Sequence, residues 1–263
     1  MRIRLRDFEM EFEQRGQGAP LLLVHGFPLN RKMWEEQIEV LSSSRQVLAP
    51  DLRGYGDSSF TRGRYTMDLL AKDLYEFLDA IDIKEPVVLG GLSMGGYVAF
   101  AFYRAFPERV AGLILAATRA APDTEEGKVR REEMAALALE SGANAIAAEI
   151  LPKMLSPKTY EKKPEVVQRL QNIMENASKE GLAGALLGMK ERPDSRPLLE
   201  TIDRPTLIIH GADDQLVPPE EARSMQSAIR NSKVEILQEA GHMLNLEQPV
   251  QFNRAVGSFL DTL

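Results

Sequence analysis

Ser93 stands in Gly91-Leu92-Ser93-Met94-Gly95, after the apolar run Pro86-Val87-Val88-Leu89-Gly90 and before Gly96-Tyr97-Val98-Ala99-Phe100-Ala101. A serine on a tight turn between strand and helix is placed to act as a nucleophile. The flanking glycines remove Cβ atoms where the chain reverses sharply, and the turn holds the hydroxyl near the positive end of a helix, where an oxyanion is stabilised. The pattern also arises by chance in glycine-bearing loops, so the reading depends on its partners. A serine hydroxyl needs a base, and the chain has only three histidines. His25 and His210 each end a short apolar run and precede a glycine, where a packed, hydrogen-bonded ring is the plain reading. His242, in Glu239-Ala240-Gly241-His242-Met243, follows the strand-like Val234–Leu237 and alone has the placement of a loop-borne base.

The third requirement is a carboxylate that orients the imidazole. Asp213 and Asp214 follow the run Thr206–His210, and the order Ser, Asp, His along the chain suits a strand–turn–helix nucleophile. One aspartate must face the imidazole while its neighbour caps the helix that begins near Pro218; spacing alone leaves both open. The run 110–116 is followed by Thr118-Arg119-Ala120 without a carboxylate, which removes a competing position. Ligands in parallel sheets bind beyond the carboxyl ends of the strands. There the backbone N–H groups of Phe27, in His25-Gly26-Phe27-Pro28, and of Met94 are candidate oxyanion donors, and both residues are candidate substrate contacts. The plain alternative for Phe27 is a ring packed beneath a cap. Asp51-Leu52-Arg53-Gly54-Tyr55-Gly56-Asp57-Ser58 lacks the glycine–lysine pattern of a phosphate site and reads as a turn braced by Asp51 and Arg53.

The elements that must position these groups follow from hydropathy. Residues 2–6 and 8–14 alternate as a hairpin with one wet face. Six short apolar runs then recur, at Pro20–His25, Gln46–Ala49, Val87–Gly90, Val110–Ala116, Thr206–His210 and Val234–Leu237, between helix patterns at about 33–43, 66–81, 94–106, 219–229 and 247–262. The expectation is an α/β fold with a mostly parallel eight-stranded sheet, antiparallel at one edge and flanked by helices. From about Pro122 to Arg196 only helical pattern remains, over 123–140, 143–154, 164–177 and 179–190. This predicts an all-helical cap of residues 122–196 inserted into a core of residues 1–121 and 197–263. Its methionines, Met154 and Met189 among them, are candidates to line an adaptable apolar pocket.

Composition narrows the function. The 263 residues carry 39 acidic and 32 basic side chains for a net charge of −7, with no basic stripe for nucleic acid. Without cysteine there is no disulfide, thiolate site or cysteine nucleophile. The three histidines lack metal-ligand spacing, so neither metal nor cofactor is expected. No secretory signal and no uninterrupted apolar stretch of about 20 residues is evident, so no membrane partner and a cytoplasmic location are expected. The expected partner is a small-molecule ester, with the chain a monomer or homodimer.

Together, His25-Gly26-Phe27-Pro28, Asp51 to Ser58, Gly91 to Gly96, Gly211-Ala212-Asp213-Asp214 and Gly241-His242 resemble the α/β-hydrolase superfamily over essentially the whole chain outside the cap. The resemblance implies that the acid stands three residues after the glycine ending its strand, which is Asp214. It implies a serine carboxylesterase acting through an acyl-enzyme on small to medium, fairly apolar esters. Enol-lactonases and carbon–carbon bond hydrolases are the nearer alternatives; for these, Arg119 or Arg130 could hold a substrate carboxylate. Pro28 after the aromatic also resembles the perhydrolase-type branch, and some proteins of this fold are small-ligand receptors. Epoxide hydrolases and haloalkane dehalogenases carry an aspartate where Ser93 stands, which argues against both.

Overall fold

The computed structural model describes residues 1–263. One sheet carries eight strands, β1 (Arg2–Arg4), β2 (Glu9–Arg15), β3 (Pro20–Val24), β4 (Gln46–Pro50), β5 (Val87–Leu92), β6 (Val110–Ala116), β7 (Thr206–Gly211) and β8 (Ser232–Leu237), in the order β1-β2-β4-β3-β5-β6-β7-β8. The β1–β2 and β2–β4 pairings are antiparallel, and all others are parallel. In β2, Met10 and Phe12 are buried while Glu9, Glu11 and Glu13 are only partly covered, so the alternation does select a wet face. Strands β3 and β5 are buried at every residue, as runs sandwiched between helices must be. β8 departs from that expectation. It is the sheet edge, and Lys233 and Glu235 alternate outward from Val234 and Ile236, charges that discourage pairing with another chain.

Alternate strand residues feed two core layers. Leu22, Val24, Leu89, Leu113 and Leu115 pack with helices α2 (Met67–Ala80) and α3 (Met94–Ala105). Leu21, Leu23, Val88, Ile114 and Ile209 pack on the other face with α1 (Glu35–Leu41) and α11 (Pro249–Leu260). In α2 the residues at helical spacing, Met67, Leu70, Leu74, Phe77 and Leu78, are all buried, and Thr66 caps the helix by accepting the Leu69 N–H at 3.1 Å. Each such buried side chain stabilises the fold by about 1.5–3 kcal/mol.

Between β6 and β7 there are five α-helices and no strand: α4 (Glu125–Ile150), α5 (Pro157–Lys162), α6 (Pro164–Met174), α7 (Lys179–Lys190) and α8 (Arg196–Leu199). The expected break falls at Gly142: there the backbone leaves helical geometry, with φ 75° and ψ −165°, so α4 is two helical stretches meeting at a kink. Helix α5 falls in the gap between the helical patterns 143–154 and 164–177, where Pro157 and Pro164 would ordinarily end a helix. Yet Pro157 occupies the first turn, where no N–H is needed, behind the Ser156 cap. Within 125–153 one window of 18 residues reaches a mean hydropathy of 1.3, enough to cross a membrane by length and composition alone. Scattered alanines raise that mean, while Glu140 and Glu149 interrupt the apolar run. Met134, Ala135 and Ala138 of this helix are buried, and α4 packs against α7.

Candidate active site

The strand order reverses at β3, which has β4 on one side and β5 on the other, and crevices for ligands open at such a reversal. Gly26 and Phe27 leave the end of β3, and Ser93 leaves the end of β5. Ser93 has φ 56° and ψ −112°, a strained backbone for a residue with a side chain. It is held there by its own N–H donating to the Ala116 carbonyl at 2.9 Å, while its carbonyl accepts the Gly96 N–H and the Thr118 hydroxyl at 2.9 Å each. The flanking glycines are sterically required. A Cβ on Gly91 would lie 2.2 Å from the Gly95 carbonyl oxygen, and one on Gly95 would lie 2.3 Å from that of Val24.

Ser93 opens onto a cavity of about 170 Å³ that His242 also lines. His242 is buried, and its Nδ1 is 2.8 Å from Asp214 Oδ2. The other carboxylate oxygen, Oδ1, accepts the Leu216 and Val217 N–H groups at 2.8 and 3.0 Å, which fixes the group in place. Burial opposes ionisation of Asp214, but His242, His210 and the Val217 N–H together outweigh it and hold the carboxyl well below the usual range. The choice between the aspartates is thus made by geometry. Asp213 is exposed, its N–H donates to the Ala240 carbonyl at 2.9 Å, and it does not cap the following helix α9 (Pro219–Ala228), contrary to the sequence expectation. With Nδ1 committed to Asp214, Nε2 is the ring nitrogen left for the serine. No direct Ser93–His242 hydrogen bond is formed; such contacts commonly tighten only in the substrate complex.

The remaining histidines brace the site. Burial pulls the His25 pKa down to about 4; its Nδ1–H donates to the Gly26 carbonyl at 2.9 Å and its Nε2 accepts the Leu52 N–H at 3.0 Å. His210 shares its Nε2–H between the Val217 carbonyl at 2.9 Å and Asp214 Oδ2 at 3.3 Å, a second contact on the carboxylate that the sequence did not signal. Glu247 was likewise unforeseen. Fully buried, it accepts the Gly241 N–H at 2.8 Å on one oxygen, and the Ser156 N–H and Thr159 hydroxyl at 2.7 Å each on the other. It therefore ties the loop bearing His242 to the inserted helices. Asp51 and Arg53 are braces, as read: Asp51 accepts the Arg31 and Asp57 N–H groups at 2.7 and 2.9 Å, and Arg53 grips Asp73 at 2.5 and 2.6 Å.

The proposed contacts divide. Phe27 and Met189 line the cavity with Met134, Tyr97 and Val217. Met94 opens α3, so its N–H has no acceptor one turn back, but its side chain is fully buried in the core and not in the cavity. A Cβ on Gly26 would lie 3.4 Å from the Ser93 Cβ, so the backbone entering Phe27 runs beside the serine turn. Met154 is a correction: it is buried in the opposite core layer, and its carbonyl accepts the Met243 N–H at 3.1 Å. Met154 lies beyond α4, in a stretch that packs against the His242 loop: a Cβ on Gly241 would lie 2.7 Å from the Leu155 carbonyl carbon. Arg130 is a second correction. It is exposed and paired with Glu133 and Glu149, whereas Arg119 and Arg131 line the cavity. Helical rotation of one residue decides this, and without an anchor for α4 the sequence carried no signal for it. No cluster of three metal-ligating side chains is present. Larger depressions, of about 530 Å³ beside β8 and α11 and about 430 Å³ beside α6, contain no histidine to serve as base.

Such a serine turn at a sheet reversal, with an Asp–His pair facing it, defines a hydrolase-type α/β architecture. The chain belongs to the alpha/beta hydrolase fold family, whose model matches residues 19–249. It is 32% identical over 95% of its length to a 3-oxoadipate enol-lactonase 2 of Acinetobacter baylyi, covering 92% of that protein. Among solved structures it resembles a thermophilic esterase from Thermogutta terrifontis (malate bound), with 43% identity, a TM-score of 0.95, and coverage of 97% of this chain and 94% of that one. It also resembles an enol-lactonase from Burkholderia xenovorans LB400, with 28% identity, a TM-score of 0.92, and coverage of 99% and 100%.

Proposed function

We propose that the chain hydrolyses carboxylic esters through an acyl-enzyme formed on Ser93. The observation that carries this reading is the 2.8 Å His242–Asp214 pair on the wall of the cavity onto which Ser93 opens. Ser93 Oγ attacks the ester carbonyl carbon while His242 Nε2 takes its proton; the C=O bond becomes a C–O⁻ single bond. Asp214 holds the ring and stabilises the imidazolium. The oxyanion lies toward the N–H groups of Met94 and Phe27, donors of a kind worth about 3–4 kcal/mol each in the transition state. Collapse breaks the bond to the alcohol oxygen, which leaves with the proton from His242. Water then repeats the sequence and releases the acid.

At about 30 Å³ per water in the liquid, the cavity takes about six heavy atoms, so the group lodged in it is small. An enol-lactone is a second substrate for the same steps, since a lactone is a cyclic ester. The 32% identity to an enol-lactonase and the two arginines on the cavity wall favour it specifically. The test is a hydrolysis panel of short-chain to long-chain phenyl esters and a lactone, run beside Ser93→Ala, with fluorophosphonate labelling followed by peptide mass spectrometry. Turnover lost in Ser93→Ala and label on the Ser93 peptide are expected. Turnover that survives Ser93→Ala overturns the reading.

A further inference from the structure

Arg119 and Arg131 reach the cavity that Ser93 and His242 share, and no carboxylate joins them on its wall. Behind them Asp123, its side chain almost wholly buried, accepts Arg119 Nη2 at 2.6 Å and Arg131 Nε at 3.1 Å, and lies 2.9 Å from Arg192 Nη1. Arg192 is fully engaged. It also donates to the carbonyls of Met189 at 3.2 Å and Ala121 at 2.9 Å, and its guanidinium lies 4.2 Å over the Tyr97 ring. The other two are not. Arg131 makes no hydrogen bond through its two terminal nitrogens, and Arg119 Nε is buried with no partner.

Three guanidinium charges against one carboxylate leave an excess of two beside the cavity. Asp214 cannot balance it, because His242 and His210 already share that carboxylate. Glu221 attracts Arg119 more weakly than Asp123 does. Half-buried cations with unfilled donor forks are unfavourable alone, and a planar carboxylate matches the fork of a guanidinium. Arg119 follows β6 and Arg131 lies on α4, so an anion between them would join the sheet body to the inserted helices.

We propose that Arg119 and Arg131 form a subsite for a carboxylate carried by the substrate, so that the ester cleaved at Ser93 bears its own acid group a few bonds from the scissile carbonyl. This rests on the reading of Ser93 as nucleophile. Asp123 and Arg192 act as positioning residues that hold the pair apart from solvent and aimed at the cavity. The apolar span between, from Phe27 to Met189, accommodates the connecting carbons.

The test compares monophenyl succinate with phenyl butyrate, two esters with the same four-carbon acyl chain, after subtraction of spontaneous hydrolysis. The ratio of kcat/KM for the anionic over the neutral ester is expected to exceed one. It should fall at least tenfold in Arg131→Gln and in Arg119→Gln, chiefly through KM, and by less in Arg131→Lys, which keeps the charge without the fork. Calorimetric titration of Ser93→Ala with succinate gives a readout independent of turnover: saturable binding is expected, weakened at least tenfold when Arg131→Gln is added. Thermal melting checks that each variant folds, and Arg119→Gln serves if Arg131→Gln does not. A ratio that moves less than twofold in a folded variant, or no succinate binding to Ser93→Ala, overturns the subsite. If the wild type cleaves neither ester, the hydrolytic reading fails instead, and the succinate titration still decides the subsite.

Discussion

Replacing Asp214 by Asn changes one hydrogen-bonding group while leaving the shape of the site. The amide oxygen can still accept the Leu216 and Val217 N–H groups, now met by Oδ1 at 2.8 and 3.0 Å, so the turn should persist. The amide N–H₂ then replaces Oδ2, which accepts from His242 Nδ1 at 2.8 Å. Two donors cannot share that contact. The ring answers by moving its proton to Nε2, the nitrogen that must receive the proton of Ser93. Loss of one hydrogen bond to a charged group costs about 1.5–3 kcal/mol, about 10- to 100-fold in rate. Presenting the wrong tautomer costs on the order of 10⁴ in kcat, about 5 kcal/mol, in a triad of this kind. The assay is kcat and KM for phenyl butyrate, with a melting curve to establish that the variant is folded. A 10⁴-fold loss in kcat with little change in KM is expected. A folded Asp214→Asn enzyme that keeps more than a tenth of wild-type kcat refutes the assignment. A loss of only 10- to 100-fold would mean that the carboxylate strengthens a bond without setting the tautomer.

Other outcomes follow from the same geometry. Because the folded fold holds the Asp214 carboxyl below its ordinary value of about 3.9, its stabilising contribution is complete above about pH 5 and lost as pH falls further. The melting-temperature gap between wild type and Asp214→Asn should therefore narrow as pH falls from about 5 to about 3, and a widening gap contradicts this. Ser93→Gly and Ser93→Ala should both be inactive, but relief of the φ 56° backbone should make the glycine variant the more stable by about 1 kcal/mol in urea melts. Equal stabilities would show that the turn is unstrained. Gly95→Ala drives a methyl to 2.3 Å from the Val24 carbonyl, backbone that cannot step aside, so soluble yield and melting temperature should drop sharply. Glu247→Gln replaces an acceptor with a donor facing a buried N–H or hydroxyl and should cost about 2–3 kcal/mol, with kcat reduced through the His242 loop. Unchanged stability would remove Glu247 from any structural role.

Much of the fold was legible because its causes are local. Full burial makes β3 and β5 continuous apolar runs, and the wet face of β2 makes it alternate. The spacing of Leu70, Leu74 and Phe77 follows from the helical repeat that puts them on one core face. The tight turn at Ser93 and the loop placement of His242 were legible because flanking glycines and a preceding strand pattern mark them in adjacent residues. β8 was misjudged because its apolar residues alternate, and only its place at the edge exposes the others. Helix α5 leaves no clear pattern in the sequence because it is short and opens on Pro157, a residue that more often ends a helix.

What the chain determines by itself is local: residue types, periodicity, and the steric need for Gly91 and Gly95 around the serine. What only the tertiary structure decides is which distant groups meet. It selects Asp214 over Asp213, turns Arg131 toward the cavity and Arg130 to solvent, sends Met154 into the far core layer, and brings Glu247 beneath the His242 loop. The physical reason is rotation and register. One residue turns a helical side chain by about 100°, and adjacent loop residues face opposite ways, so neighbours with the same chemistry acquire different surroundings that no local pattern encodes.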